Sequence, residues 1–168
     1  MIEIGLAGWG DHHELYTADV KPRDRLQAYS EHFSIVEVDS SFYAIQPEAN
    51  YQRWVEMTPG HFGFIIKAYQ GMTGHQRGTP AYPDASAMFR AFLDSIRPVL
   101  EAGKLRAVLF QYPPWFDCNR RNVETLRRAK AWMGDIPAAL EFRHQSWFLP
   151  ELRHKTLEFM KQEGWIHS

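Results

Sequence analysis

The chain has 168 residues, 45% of them hydrophobic and 14% aromatic, a composition that builds a folded globular domain and excludes a disordered segment. Its 19 Lys and Arg against 20 Asp and Glu leave a net charge of −1, which argues against a duplex nucleic acid or a cationic partner. One cysteine, Cys118, excludes an intrachain disulfide and a cysteine-based zinc site.

The opening stretch, MIEIGLAGWGDHH, has no basic leader and carries Glu3 within its short apolar run, so no secretory signal is expected. No run reaches the ~18 apolar residues of a membrane-spanning helix. A soluble, reducing, cytoplasmic setting without a membrane partner is the expectation. Residues 2–7 read as a first strand ending in Gly8-Trp9-Gly10. Residues 22–33 follow as a helix, with Pro22 in its first turn and Leu26, Tyr29 and Phe33 at helical spacing. Residues 34–43, SIVEVDSSFY, read as strand two, and 47–57 as a helix opened by Pro47. Strand three is GFIIKAY at 63–69. A glycine-rich loop leads to a helix over 84–103, with a kink expected at Pro98. Strand four, 105–112, is stopped by Pro113-Pro114. A charged helix over 120–133, strand five over 138–144 and a helix over 150–164 closed by Gly164 complete the pattern. Trp165-Ile166-His167 begins a sixth strand.

Five β/α units and the start of a sixth, with strands about 30 residues apart, predict a parallel sheet covered by helices. Parity narrows the architecture. Glu37 and Asp39 alternate with Val36 and Val38, and Lys67 with Ile66 and Ala68. Gln111 alternates with Phe110 and Tyr112, and Glu141 and Arg143 with Leu140 and Phe142. Each strand is apolar on one face and turns polar on the other near its C-terminal end. A doubly wound sheet needs both faces apolar. A (β/α)8 barrel of the TIM type has polar side chains at the C-terminal mouth of its lumen. The expected fold is therefore a single, incomplete α/β barrel domain over residues 1–168, since a full barrel takes ~200–250 residues. Its open sheet edges invite self-association.

The strand ends carry AGWG (7–10), VEVDSSFYAIQP (36–47), FIIKAYQGMTGH (64–75), LFQYPPWF (109–116) and LEFRHQSW (140–147). In this order the chain resembles the YecE-like family, a domain of unknown function, over essentially its whole length. The resemblance implies a TIM-type barrel with a polar lumen, and no established reaction. It also implies three further strands, with an Asp motif on strand six and later His and Asn motifs, beyond residue 168. Family members often carry Asn where Asp39 stands.

Six side chains, Glu37, Asp39, Lys67, Gln111, Glu141 and Arg143, are expected to converge at one mouth of the lumen. Glu37 and Glu141 suit general acid–base work, with Lys67 stabilising negative charge. The planar fork of Arg143 suits a phosphate or carboxylate, and Gln111 and Asp39 would orient it. Trp9, Tyr43, His144 and Trp147 complete the expected ligand contacts at the rim. The competing reading is a structural layer of ion pairs, Glu141 with Lys67 and Glu37 with Arg143. Asp11, His12, His13, His75 and His144 are ligand-type residues for Zn, Mn or Fe, but their spacing matches no metal motif, and no metal is expected. No cofactor is implied. GMTGHQRGT (71–79) has the composition of a phosphate-cradling loop without Walker spacing, and equally of a lid. Ser40, Ser41 and Cys118 lack a neighbouring His–acid pattern and are not expected to be nucleophiles. The functional expectation is a small anionic or phosphate-bearing ligand, handled by a hydrolase or lyase. The rivals are a single-stranded nucleic-acid binder using Lys67, Arg77 and Arg143, and a non-catalytic scaffold.

Overall fold

A computed structural model of the chain describes residues 2–168. It contains six strands: β1 (Gly5–Ala7), β2 (Ile35–Val38), β3 (Gly63–Lys67), β4 (Leu105–Gln111), β5 (Ala138–Glu141) and β6 (Ile166–His167). Seven α-helices connect them: α1 (Arg25–Ser30), α2 (Ser40–Tyr43), α3 (Glu48–Glu56), α4 (Ala85–Ser95), α5 (Arg97–Glu101), α6 (Arg120–Met133) and α7 (Arg153–Glu163). The strands form one parallel sheet in chain order from β1 to β6. β1 and β6 are its edges, so among the described residues the sheet is open rather than closed on itself.

Parallel strands laid down in order, each through a right-handed crossover, place every helix on the same side. The core agrees. Val36, Val38, Phe64, Ile66, Phe110 and Leu140 share one cluster with the apolar stripes of the helices, including Tyr29, Tyr51, Phe92, Leu126 and Met160. The other face of the sheet has only a small apolar cluster, Ala107, Leu109 and Ala139, packed against Ile65. These three are each 7% exposed. These small apolar side chains, packed with Ile65, cover one another across neighbouring strands. The alternation read from sequence is therefore the alternation of the fold.

Several boundaries moved. The run 34–43 is not one strand: β2 ends at Val38, and Ser40–Tyr43 turns into helix α2. The buried Ser41 hydroxyl lies 2.8 Å from the Val38 carbonyl and 2.7 Å from that of Lys67, and so ties the turn to the end of β3. Strand five stops at Glu141, because Gln145–Phe148 form a 3-10 turn. The helix expected over 84–103 is two helices, with Pro98 in the first turn of α5, where its missing N–H costs nothing. Helix α7 starts at Arg153, three residues after Pro150.

At the N-terminal ends of the strands the fold is held by close approach and by polar groups with partners. A Cβ at Gly5 would sit 2.1 Å from the Ile35 carbonyl oxygen, so only glycine lets β1 pair this tightly with β2. Arg106 donates to Glu3 at 3.2 Å and to the His61 carbonyl at 2.9 Å. Lys104, 5% exposed, donates to the Val55 carbonyl at 2.7 Å, the Thr58 carbonyl at 2.8 Å and the Thr58 hydroxyl at 3.0 Å. It thus satisfies carbonyls left open by the end of α3. Burial lowers its pKa. Lys104→Met keeps the stem and removes the donor, leaving buried acceptors without partners. The expected loss of unfolding free energy is about 2 kcal/mol, read from urea denaturation.

Candidate functional site

The C-terminal strand ends behave differently. Glu37 on β2, Lys67 at the end of β3, Gln111 at the end of β4 and Glu141 at the end of β5 stand on the face that carries no helix, with Asp39 and Arg143 two residues beyond the first and last. In the register, Glu37 lies beside Ile65, Lys67 beside Leu109, and Gln111 beside Glu141. The polar groups therefore climb from β2 to β3 and from β3 to β4, and Gln111 and Glu141 then stand level, above the Ala107, Leu109 and Ala139 cluster.

The pairing differs from the one expected. Lys67 is bonded to Asp39 at 3.3 Å, not to Glu141. Arg143 is bonded to Glu141 at 3.1 Å, not to Glu37. Proximity decides both: Asp39 follows the strand next to β3, and Arg143 lies on the same strand face as Glu141. Gln111 donates to Glu141 at 2.9 Å, on the same Oε1 that Arg143 uses. Among the described residues Oε2 of Glu141 accepts no hydrogen bond. With both cations taken, Glu37 has no cation of its own. Burial pushes its carboxyl above the ordinary range, and the Asp39 charge pushes it further. Lys67 opposes this, while a hydrogen bond with Asp39 and the charge of Glu141 add to it. A cavity of about 260 Å³ reaches Glu37 along β1 to β3, lined also by Glu3, Gly5, Ala7, Ile35 and Ile65.

Around this cluster the rim is built by three loops. The Phe42 ring lies 5.5 Å from the Lys67 ammonium and 5.0 Å, edge on, from the imidazole of His75. Gln70 fastens the loop after β3 onto α2, its N–H donating to the Phe42 carbonyl and its side chain to that of Tyr43. His75 Nδ1 sits 2.8 Å from the hydroxyl of buried Thr73, and the ring meets Trp115 at 5.8 Å. Burial lowers its pKa, and the charges of Lys67 and Arg143 lower it further. Sequence reading took His75 only as a metal ligand of weak pattern; its signal was a Thr-x-His spacing in the loop that follows Lys67. On the far side of Trp115, a second cavity of about 540 Å³ runs between α4 and α6, past Thr73, Phe89, Tyr112 and Trp132. It does not reach the charged cluster.

Other expected contacts are placed elsewhere. Trp147 is buried, donates its indole N–H to the Phe116 carbonyl at 2.7 Å, and stacks on Phe142 at 4.0 Å. It is core, because the 3-10 turn after His144 folds it back under the sheet. Trp9 packs edge on against Trp54 at 5.0 Å and is half-buried. His144 caps that 3-10 turn, its Nδ1 accepting from the Ser146 N–H at 3.2 Å. Tyr43 stays on the rim, 72% exposed. His12 bonds the Ala7 carbonyl, and among the described residues no group of three or more His, Cys, Asp or Glu side chains is arranged to hold a metal. Cys118 is half-buried, and its thiol is pushed up by burial and then by Asp117, the reverse of an activated nucleophile.

The raised Glu37 carboxyl has a thermodynamic signature. Between the ordinary Glu value and its raised one, the native state keeps a proton that the unfolded chain gives up, so stability falls as pH rises through that window. Glu37→Gln abolishes this loss. The variant is expected to melt with the wild type near pH 4 and above it at about pH 7.5, as thermal unfolding at the two pH values will show.

The chain matches, over residues 3–168, the family described as protein of unknown function DUF72. It is 58% identical over 168 residues to UPF0759 protein YunF of Bacillus subtilis (strain 168), which covers all of this chain and 60% of that protein. Among solved structures, a DUF72 family protein of Enterococcus faecalis superposes with a TM-score of 0.93 at 32% identity, over 99% of this chain and 60% of that one. A second, from Thermotoga maritima, gives 0.80 at 26% identity over 99% and 64%. The chain thus spans about three fifths of the length of these relatives, and it belongs to the DUF72 family.

Proposed function

We propose that residues 1–168 form one domain of a (β/α)8-type barrel whose C-terminal strand ends bind a small molecule bearing a phosphate or carboxylate, and that the protein acts on it as a hydrolase or lyase. The chain-ordered parallel sheet and its sheltered Ala107, Leu109 and Ala139 cluster support the barrel. The observation that carries the functional reading is Glu37, without an ion-pair partner among the described residues, in one cluster with Asp39, Lys67 and Glu141, where Lys67 and Arg143 are each paired to one other carboxylate. Arg143 is 51% exposed and offers guanidinium N–H groups beyond the one given to Glu141. Lys67 and Arg143 hold the anionic group. Glu37, whose carboxyl pKa is raised by burial and by Asp39, is the acid, and Glu141 orients Arg143 and Gln111. A cytoplasmic setting accords with the single cysteine and with the finding that no helix among the described residues is long and apolar enough to cross a membrane.

The site is tested through its arginine. Arg143→Lys keeps the charge and loses the fork, so affinity for inorganic phosphate, measured by titration calorimetry, is expected to fall about tenfold. Equal affinity in the two proteins overturns the reading.

A further inference from the structure

His75 is the one imidazole that the fold brings to the charged cluster, and nothing in the site's proposed chemistry has yet used it. Its position is fixed by bonds within its own loop and by long-range contacts. The loop after β3 is fastened to α2 by two hydrogen bonds from Gln70, and the His75 N–H donates back to the Gln70 carbonyl at 3.0 Å. Phe42 packs against both, its ring near the Lys67 ammonium and edge on to the imidazole. Trp115, arriving from the loop after β4, also meets the imidazole edge on, and Arg77 lies over Trp115 at 5.7 Å. Thr73 occupies Nδ1 at 2.8 Å, which leaves Nε2 as the nitrogen available to a ligand.

The charges around the imidazole come from every element of the site. Lys67 on β3 and Arg143 beyond β5 act on it directly, and both disfavour a second positive charge there. Asp39 and Glu141 are engaged with those two cations, and Glu37 is engaged with Asp39. Burial is the larger influence lowering its pKa, and the two cations lower it further. An anion bound across Lys67 and Arg143 offsets the part that they contribute.

We propose that His75 is the proton-exchanging group of this site, held above Lys67 and Arg143 with Nε2 facing the bound anion. The inference rests on the anion-binding reading above and deepens it. Nε2 takes the proton of a ligand O–H or C–H bond, and the freed pair forms a double bond to the neighbouring carbon as that carbon's bond to the departing oxygen breaks. The Glu37 carboxyl, in its protonated form, gives its proton to that oxygen, so one proton enters the protein and one leaves it, and exchange with water resets both groups. The substrate class is a small molecule with an anionic group beside the bond that loses the proton. A ring held only as packing between Phe42 and Trp115 would do none of this.

The test uses sulfate, a dianion at every pH of interest, and follows the His75 imidazole by nitrogen–proton NMR. In the free protein His75 is expected to titrate below the ordinary histidine value of ~6.5. Saturating sulfate should raise that titration by about half a unit or more, which by linkage tightens sulfate about threefold or more as pH falls through it. In a Glu37→Gln background, where Glu37 contributes no titration, adding His75→Gln should abolish this tightening. A His75 titration that sulfate does not move, in a protein whose sulfate binding still depends on Arg143, overturns the role of His75 and leaves the site standing. Absence of sulfate binding, or binding indifferent to Arg143→Lys, overturns both. The NMR titration reads the wild-type protein, so the answer survives a variant that fails to fold.

Discussion

Side chains on adjacent parallel strands stand in register on both faces, so committing one face to the helices commits the other face as well. Val36, Val38, Phe64, Ile66, Phe110 and Leu140 are drawn to the helix side by burial of apolar area, at roughly 25 cal/mol for each Å² removed from water. Their odd-numbered neighbours have no freedom left. Glu37, Lys67, Gln111 and Glu141 must share the opposite face, and the pairing register decides which of them meet. A slip of one residue in any strand would send its charge into the apolar core. The site is thus a by-product of the same constraint that holds the sheet together, and it needs no loop to assemble its central charges.

The chemistry then follows from counting within that face. Three carboxylates and two cations share a sheltered space, and the two cations are claimed by the carboxylates nearest to them, Asp39 and Glu141. The remaining carboxyl, Glu37, is the one whose proton is held beyond the ordinary range. An excess of one acid over base, partly removed from water, raises one carboxyl at a defined position without any unusual residue. The same surplus leaves the pairs of Lys67 and Arg143 single, so neither cation is fully spent inside the protein.

How much of this was legible in the sequence can be stated residue by residue. The alternation that gathers Glu37, Asp39, Lys67, Gln111, Glu141 and Arg143 on one face has period two and is visible in the string itself. The partners within the group were not, because they depend on which strand end stands nearest and on rotamers that a string does not encode. Strand ends were overdrawn at Asp39 and Phe142, where a serine turn and a 3-10 turn compete with extension, and tertiary hydrogen bonds such as those of Ser41 decide the outcome. Trp147 misled for the same reason: its neighbours in sequence are polar, but the turn after His144 reverses its direction and buries it. His75 was passed over because its place depends on contacts with Phe42, 33 positions earlier, and Trp115, 40 positions later.

Two lysines at opposite ends of the sheet show why the C-terminal end holds the reactive groups. Lys104, just before β4, has three neutral oxygen partners from the end of α3, and its hydrogen-bonding capacity is filled. Arg106 near it is likewise satisfied by Glu3 and a carbonyl. There the Lys104 ammonium is spent on closing carbonyls and a hydroxyl, and Arg106 is tied to one acid and one carbonyl. Lys67, at the other end, has one bonded carboxylate at 3.3 Å and an aromatic face, leaving ammonium protons without a protein acceptor. The difference lies in the neighbours. At the N-terminal ends, the chain arrives from helices whose carbonyls need donors, so cations are consumed. At the C-terminal ends, strands give way to turns such as Ser40–Tyr43 and Gln145–Phe148 that satisfy their own backbone through Ser41 and His144. The charged side chains above them are then free of structural duty, which is the condition for binding something else.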